Sequence, residues 1–501
     1  MQQEFPFALF LAAFAAYTAL VFVISWLSGR GSGEGSGFFA GDRKAPWPVV
    51  AYGMIGASIS GVTFISVPGN VWAQNFFYMP LVLGFVGGYI VIAKVLLPLY
   101  YKMNLTSIYG YLGERFGSVS HKTGTTVFLV SRVLGAAVRI FVVMVVLFAF
   151  IPSGLKSSSP LAVFALVTAV FLTLLYLYTY RGGVRTIIWT DVLQTTFMLL
   201  AVGLTICFIC KDMGWSFTQM LSVVGGTVNE NSAAVGYGHS FTSWFDWDRS
   251  HGTNAIKQFV SGIFVTIAMT GLDQTMMQKN LSCKNLKSAQ KNMYTTSIII
   301  VVVNLFFVLL GALLCVYAQS KGISFDKTDT LFPTVASQYL GVGVGVFFLI
   351  GLVSASYPSA GAALTGLTSS FCVDYLNLKE RSDWDDARKE RVRKTVHACV
   401  ALVFLLIIIV LQIVSSDAVV NLVYKLASYT YGPLLGMFFF GILTRCEVRD
   451  RAVPFVAVAA PLLCLALNLC FKAFLGFDLG FSLLIVNGLL TFFGMWLCRK
   501  K

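Results

Sequence analysis

The stretch GMIGASISGVTFISVPG, residues 53–69, sits in an apolar segment, Trp47 to Val67, that is long enough to cross a bilayer. Glycine, serine, threonine and proline are weak helix formers. Hydrocarbon offers no water to an unpaired backbone group, so a helix broken inside a membrane survives only where protein or a watery cavity surrounds the break. The stretch therefore reads as a discontinuous helix facing the interior of a bundle. Secondary transporters use such helices to present free carbonyls and helix ends to ions and solutes at mid-membrane. Small residues also serve at tight helix crossings, and one cluster alone does not choose between the two uses.

The rest of the chain fits a membrane setting. It has 501 residues, of which 57% are hydrophobic and 12% charged, with a mean hydropathy of +0.78, whereas soluble domains carry about a quarter charged residues. About thirteen apolar segments are long enough to span. They run Phe7 to Leu27, Trp47 to Val67, Tyr78 to Leu99, Val127 to Ile151, Leu161 to Tyr178, Ile187 to Cys210 and Phe259 to Met277. Then follow Thr296 to Val316, Val342 to Cys372, Val396 to Val414, Val419 to Leu443, Val453 to Cys470 and Phe481 to Cys498. The fold class expected is an all-α integral membrane protein. The first segment lacks a basic leader and a small-residue cleavage site, so it reads as a retained helix.

The net charge of +14 does not call for nucleic acid. With the amino terminus outside, the inner loops hold 25 of the 36 basic residues, among them Arg115, Lys279, Arg388, Arg391 and Lys394. The outer loops hold fewer, among them Lys156, Lys211, Arg249, Lys321, Lys327 and Lys472. The positive-inside rule then puts the carboxyl terminus in the cytoplasm of a cell with this protein in its inner or plasma membrane. The Cys207-x-x-Cys210 pair lies in an apolar helix and reads as small buried hydrophobes, without metal-ligand spacing.

A second polar cluster, SGIFVTIAMTGLDQ at 261–274, interrupts the seventh span, five spans after the first. Corresponding interruptions in two halves point to an inverted-repeat transporter. The expected organisation is an extra helix and loop at 1–46, a five-helix repeat at 47–210, a long outer loop at 211–258, a second five-helix repeat at 259–444 and two further helices at 445–501. The ninth span contains LVSASYPSAGAALTGLTSS, 352–370, read as a second oxygen-rich break facing the first. Sodium is a hard cation that takes carbonyl and hydroxyl oxygens. In the same span Thr365, Thr368, Ser369 and Ser370 are expected to bond back to the preceding turn.

Charged residues inside spans are functional candidates, because each costs roughly 3 kcal/mol or more to insert. Arg132 and Arg139 stand seven residues apart on the fourth span, on nearly one face. Asp191 and Asp273 are the candidate partners, and a guanidinium not so engaged suits an anionic solute. Asp191 stands near the start of its helix, where it can meet Arg185 or help pass a cation inward.

At these residues the chain resembles the sodium/solute symporter family. The motifs are FFAGDRKAPW at 38–47, GGVRTIIWTDVLQ at 182–194, the Gln278-Lys279 pair and YGPLLG at 431–436, and together they cover about 38 to 445. The resemblance implies five-plus-five inverted-repeat topology with a broken first core helix, and sodium-driven import without a further cofactor. It places sodium on the carbonyls of Gly56, Ile59 and Ala355 and on the hydroxyl of Ser359. The partner hydroxyl falls on Pro358, which has none, so Ser356, Ser60 or a water stands in. A second sodium found in some members uses serines that here are Gly361 and Ala362, which implies one sodium, with Asp191 lining its exit.

Ser58, Ser60 and Thr63 match hydroxyl positions of the organic-anion branches, which include sialic acid and monocarboxylate transporters. Arg139 approximates an arginine of the third core helix, with Arg132 in competition. Asp273, where the family often has Asn, neutralises an arginine or binds solute. The expected partners are thus sodium, a small polar solute and the bilayer. A sodium-coupled sugar or vitamin symporter is the nearest alternative, and a channel the reading from another class. The chain carries no nucleophile and base suited to a membrane-embedded enzyme, His397 being the one histidine near a span.

Overall fold

The computed structural model describes residues 6–29, 45–105, 107–156, 159–180, 183–229, 239–248, 251–325, 327–378, 380–414, 419–475 and 479–500, and their side chains except at 28–29, 183–186, 419–426 and 475. Residues 38–44 of the FFAGDRKAPW motif fall outside that set.

The chain is helical throughout, with isolated β-bridges but no strand among the described residues. In order the principal elements are α1 (Phe7–Gly29), α2 (Trp47–Ser58), α3 (Gly61–Gln74), α4 (Met79–Lys102), α5 (Gly110–Phe116), α6 (Ser118–Ala149), α7 (Pro160–Thr179), α8 (Gly183–Met213) and α9 (Phe217–Gly226). Next come α10 (Ala255–Gly271), α11 (Gln274–Leu281), α12 (Leu286–Lys321), α13 (Val342–Tyr375), α14 (Asp386–Val414), α15 (Val419–Leu443), α16 (Val453–Leu475) and α17 (Leu483–Leu497). Among the described residues 10 helices are long and apolar enough to cross a membrane. The bent pairs α2–α3 and α10–α11, each counted as one span, raise the number to 12, and the described part of α15, Ala427–Leu443, is a shorter apolar helix.

Hydropathy located the spans but not their ends. The fourth, eighth and tenth spans begin at Ser118, Leu286 and Asp386, about ten residues before the apolar runs that betrayed them. Polar turns continue a helix past the bilayer when its first N–H groups find acceptors. Asp450 accepts from Val119 N (3.0 Å) and Ser120 N (2.7 Å) at the start of α6, and Asn285 accepts from Ser288 N (2.9 Å) at the start of α12.

Two expectations are corrected here. The ninth span is an unbroken helix through Pro358, so the oxygen-rich run 352–370 is not a second break. Cys207 and Cys210 are not core residues: Ile206 and Ile209 take the inward face of α8, leaving Cys207 exposed and Cys210 half-buried.

Packing keeps the most buried spans, α6, α12 and α13, at the centre and leaves α14 and α16 at the periphery. Close backbone approach replaces hydrophobic drive as the means of joining helices in lipid. At the α4–α10 crossing a Cβ on Gly84 would lie 3.0 Å from Gly262 Cα, and one on Gly262 would lie 3.1 Å from Gly84 Cα. Gly84→Val is therefore expected to destabilise the protein by roughly 1–3 kcal/mol through overpacking, seen as a lower melting temperature in detergent. Gly203→Ala, which faces open space on α8, should leave the melt unchanged.

Candidate functional site

The two broken spans differ in what becomes of their freed carbonyls. In the first, bent by 60°, the last bond of α2 runs from Ile59 N to Ile55 O (2.8 Å) and the next begins at Phe64 N to Ser60 O (3.0 Å). Ile59 and Ser60 are extended, with ψ of 98° and 171°. The carbonyls of residues 56 to 59 consequently fall outside the helical ladder. In the second, bent by 69°, protein hydroxyls occupy the break: Tyr100 donates to Gly271 O (3.0 Å) and Tyr109 to Leu272 O (2.9 Å). Asp273 then caps α11 by accepting from Met276 N (3.2 Å). At the second break side-chain hydroxyls thus claim two of the freed carbonyls, whereas no side-chain donor is seen at the carbonyls of residues 56 to 59.

That break faces the middle of α13. A Cβ on Gly56 would lie 3.6 Å from Pro358 Cγ, and one on Gly61 would lie 2.8 Å from Ser356 Oγ. The glycines on either side of the break thus let it settle against the turn Ala355–Ser359. Ala355, Ser356 and Ser359 are all buried, as are Gly56 and Ile59. Ser356 donates back to Leu352 O (2.6 Å), which leaves its lone pairs free to accept. Pro358 has no N–H, so the Ser354 carbonyl loses its partner one turn on. Thr365 and Thr368 donate to Gly361 O (2.9 Å) and Leu364 O (2.7 Å) as expected, but Ser369 receives Gln278 Nε2 (3.2 Å).

Beside the break lies a cavity lined by Ser58, Ser60 and Thr63, by Arg132 and Arg139 of α6, and by Tyr78, Tyr89, Thr270 and Asn304. Apolar side chains, Val62, Phe85, Met269 and Ile300 among them, complete the wall. Both arginines line it. Arg132 is 2% exposed, and its Nη1 stands 3.5 Å from Asp273 Oδ2. Its Nε and Nη2 have no hydrogen-bond partner among the described residues. Asp273 does not line the cavity; it stands behind Arg132 and accepts from the Tyr431 hydroxyl (2.8 Å). Of its two expected roles, the structure places it in that of counter-ion. Tyr431 escaped the sequence reading although it opens the YGPLLG motif. The motif's glycines sit against α17, where Cβ atoms at Gly432 and Gly436 would meet Asn487 and Thr491.

Asp191 has a partner that the sequence does not announce. Its Oδ2 pairs with Lys279 of α11, both side chains being buried, while the Arg185 side chain lies outside the described set. The pair sits under the first break, since a Cβ on Gly53 would lie 3.0 Å from Asp191 Cβ. At Gly361 the space of an added side chain is taken by the Tyr178 hydroxyl, which donates to Tyr357 O (3.1 Å).

Comparison with known proteins bears on the same residues. Residues 38–448 match the sequence profile of the Sodium:solute symporter family. The chain belongs to that family. Sodium/sialic acid symporter NanT of Aliivibrio fischeri is 23% identical over 90% of this chain and 86% of its own. Sodium-coupled monocarboxylate transporter 1 of Mus musculus is 22% identical over 83% of this chain and 65% of its own. A solved Na+-coupled sialic acid symporter, substrate-bound and outward-open, superposes with a TM-score of 0.79 at 17% identity, covering 98% of this chain and 99% of that one. The fold is therefore the inverted-repeat transporter fold with a broken first core helix. The protein is an integral membrane, sodium-coupled symporter.

In the symporter the Asp191–Lys279 pair joins helices of opposite halves. Removing one partner of a buried ion pair strands the other charge and costs about 3–5 kcal/mol. Lys279→Met should lower the melting temperature accordingly, and Lys279→Met combined with Asp191→Asn should recover most of that loss in the same thermal melt.

Proposed function

We propose that the symporter imports a small organic anion, a sialic acid or a monocarboxylate, together with one sodium ion. The observation that carries this reading is the buried Arg132 guanidinium, which lines the cavity beside the broken helix and whose Nε and Nη2 edge has no partner among the described residues. That edge presents two parallel N–H groups, the geometry that receives both oxygens of a carboxylate. Asp273 holds the opposite corner, so the guanidinium is oriented without being used up. Arg139 adds a second cationic wall, Ser58, Ser60 and Thr63 offer hydroxyls to the solute, and the apolar patch takes its carbon frame.

Sodium sits between the break and α13 in this proposal. The ligands are the carbonyls of Gly56, Ile59 and Ala355 and the hydroxyl of Ser359, with Ser356 or the Ser354 carbonyl released by Pro358 replacing the hydroxyl that position 358 lacks. Bound sodium ties the break to α13 and favours the outward-open state, and rocking of one half against the other releases ion and solute inward past Asp191. The same reading divides the chain at 1–46, 47–210, 211–258, 259–444 and 445–501, with the amino terminus outside and the carboxyl terminus cytoplasmic, as the basic loops favour. It assigns the protein transport and no enzymatic step.

The test uses purified protein in nanodiscs, titrated with sialic acid and with short monocarboxylates in sodium or in potassium. Sodium-dependent binding of one of these acids is expected, with sugars inert. Arg132→Lys keeps the charge but removes the two-pronged edge, and should weaken that binding roughly tenfold to a hundredfold, as the loss of about 1.5–3 kcal/mol implies. Arg132→Lys binding as well as the wild type would overturn the anion reading. Ser359→Ala should raise the sodium concentration for half-maximal uptake in proteoliposomes by roughly tenfold, which corresponds to one lost oxygen ligand of about 1.4 kcal/mol.

A further inference from the structure

We infer that the groove where α14 meets the end of α7 is a seat for the headgroup of an anionic phospholipid. Beyond its first three turns α14 is the most lipid-exposed long span of the bundle, with a mean hydropathy of 2.9 and 17% of its apolar window buried in protein. Its first turns, with Arg388, Lys389, Arg391, Arg393 and Lys394, must then stand at the membrane surface. The groove is lined by Tyr176, Glu390, Arg391, Lys394 and Thr395.

The charges in this groove are already sorted. Arg393 is buried and donates to Tyr180 O (2.8 Å), which pins α14 to the end of α7. Its Nη2 also stands 3.7 Å from Glu390, and Lys394 Nζ stands 2.7 Å from the same carboxylate. Glu390 is thus neutralised from two sides. The Arg391 guanidinium is exposed and has no partner among the described residues, leaving the groove with a surplus of positive charge. Lys394 also lies 5.6 Å over the Tyr180 ring, and Trp384 is held between Arg381 and Arg388, each 4.5 Å away. Aromatic and basic side chains together mark the headgroup level of a bilayer.

What commits the groove to a lipid and not to a free phosphate is the surface below it. Ala398 lines the groove, and Leu402, Leu406 and Val410 follow it at one-turn spacing on α14, 54%, 55% and 56% exposed, so an apolar strip leads from the cationic groove down the lipid-facing side. A phospholipid has both parts, a phosphate for Arg391 and Lys394 and a chain for the strip. The site also reaches the transport core. His397, one turn below Lys394, bridges Thr179 of α7 (2.9 Å) and Thr368 of α13 (2.8 Å), so a headgroup that steadies the first turns of α14 steadies its seam with α13.

The experiment is native mass spectrometry of the protein released from nanodiscs containing phosphatidylglycerol and phosphatidylcholine, beside the variant Arg391→Ala with Lys394→Ala. The wild type should retain phosphatidylglycerol through delipidation in preference to phosphatidylcholine. Each basic residue near an anionic surface contributes about 1 kcal/mol, a factor of about five, so the double variant should lose roughly thirtyfold of that preference. In nanodiscs of phosphatidylcholine alone its sodium-dependent rise in melting temperature should match that of the wild type, which shows that it is folded. Equal retention of both lipids by the wild type, or an unchanged preference in the variant, would overturn the inference. So would a stabilisation by inorganic phosphate in phosphatidylcholine nanodiscs as large as that by phosphatidylglycerol, because the site would then recognise a soluble anion.

Discussion

In hydrocarbon a backbone carbonyl has no partner but the protein itself or whatever the protein binds, and this constraint organises the molecule around Ile59 and Ser60. The two extended residues interrupt a membrane helix at a cost of several hydrogen bonds. Everything nearby is arranged to make that cost bearable: glycines at 56 and 61 allow close contact with α13, and a proline at 358 removes a hydrogen from the facing helix. The same constraint is met differently at Gly271 and Leu272, where Tyr100 and Tyr109 supply the missing donors. At the second break the protein's own hydroxyls thus take two of the freed carbonyls, and at the first none does so. The two halves share a pattern without sharing a task.

Buried charge follows the same logic of partial satisfaction. Arg132 spends one nitrogen on Asp273 and keeps a two-pronged edge, while Tyr431 steadies the carboxylate from behind. The chain Tyr431, Asp273, Arg132 crosses from α15 through the second break to α6. It couples the orientation of the cavity's cation to the packing of a helix that never touches the cavity. Asp191 and Lys279 make a tighter pair, one from each half, and neither faces solvent.

Much of this could be read from the residues in order, and the reasons are physical. A run such as Gly-Ala-Ser-Ile-Ser-Gly inside an apolar segment contradicts both helix propensity and lipid solubility, so the first break announced itself. The second did so through Gly271, Asp273 and Gln274. Arg132 and Arg139 were legible because a membrane tolerates no idle arginine. Helix ends were not, since hydropathy senses lipid and not helix, and the polar turns of α6, α12 and α14 outlast the bilayer. The partner of Asp191 was hidden for another reason: Lys279 lies 88 residues away, and only the tertiary packing of opposite halves brings them together. The hydroxyl-rich run of α13 misled because Ser and Thr can satisfy themselves on the preceding turn, so their density says little about whether a helix is broken.

Lys279 has one consequence for energetics. An ion borrowed from the bath must be returned on the far side, and each one returned adds its own gradient to the work available. An ammonium on a four-carbon leash stays with the protein, so the Lys279 that neutralises Asp191 in this structure contributes no step down any gradient. Under the proposed stoichiometry of one sodium, held at residues 56–59, accumulation of a neutralising solute is bounded by the first power of the sodium ratio across the membrane. The tether trades a higher ceiling for a charge that is always in place.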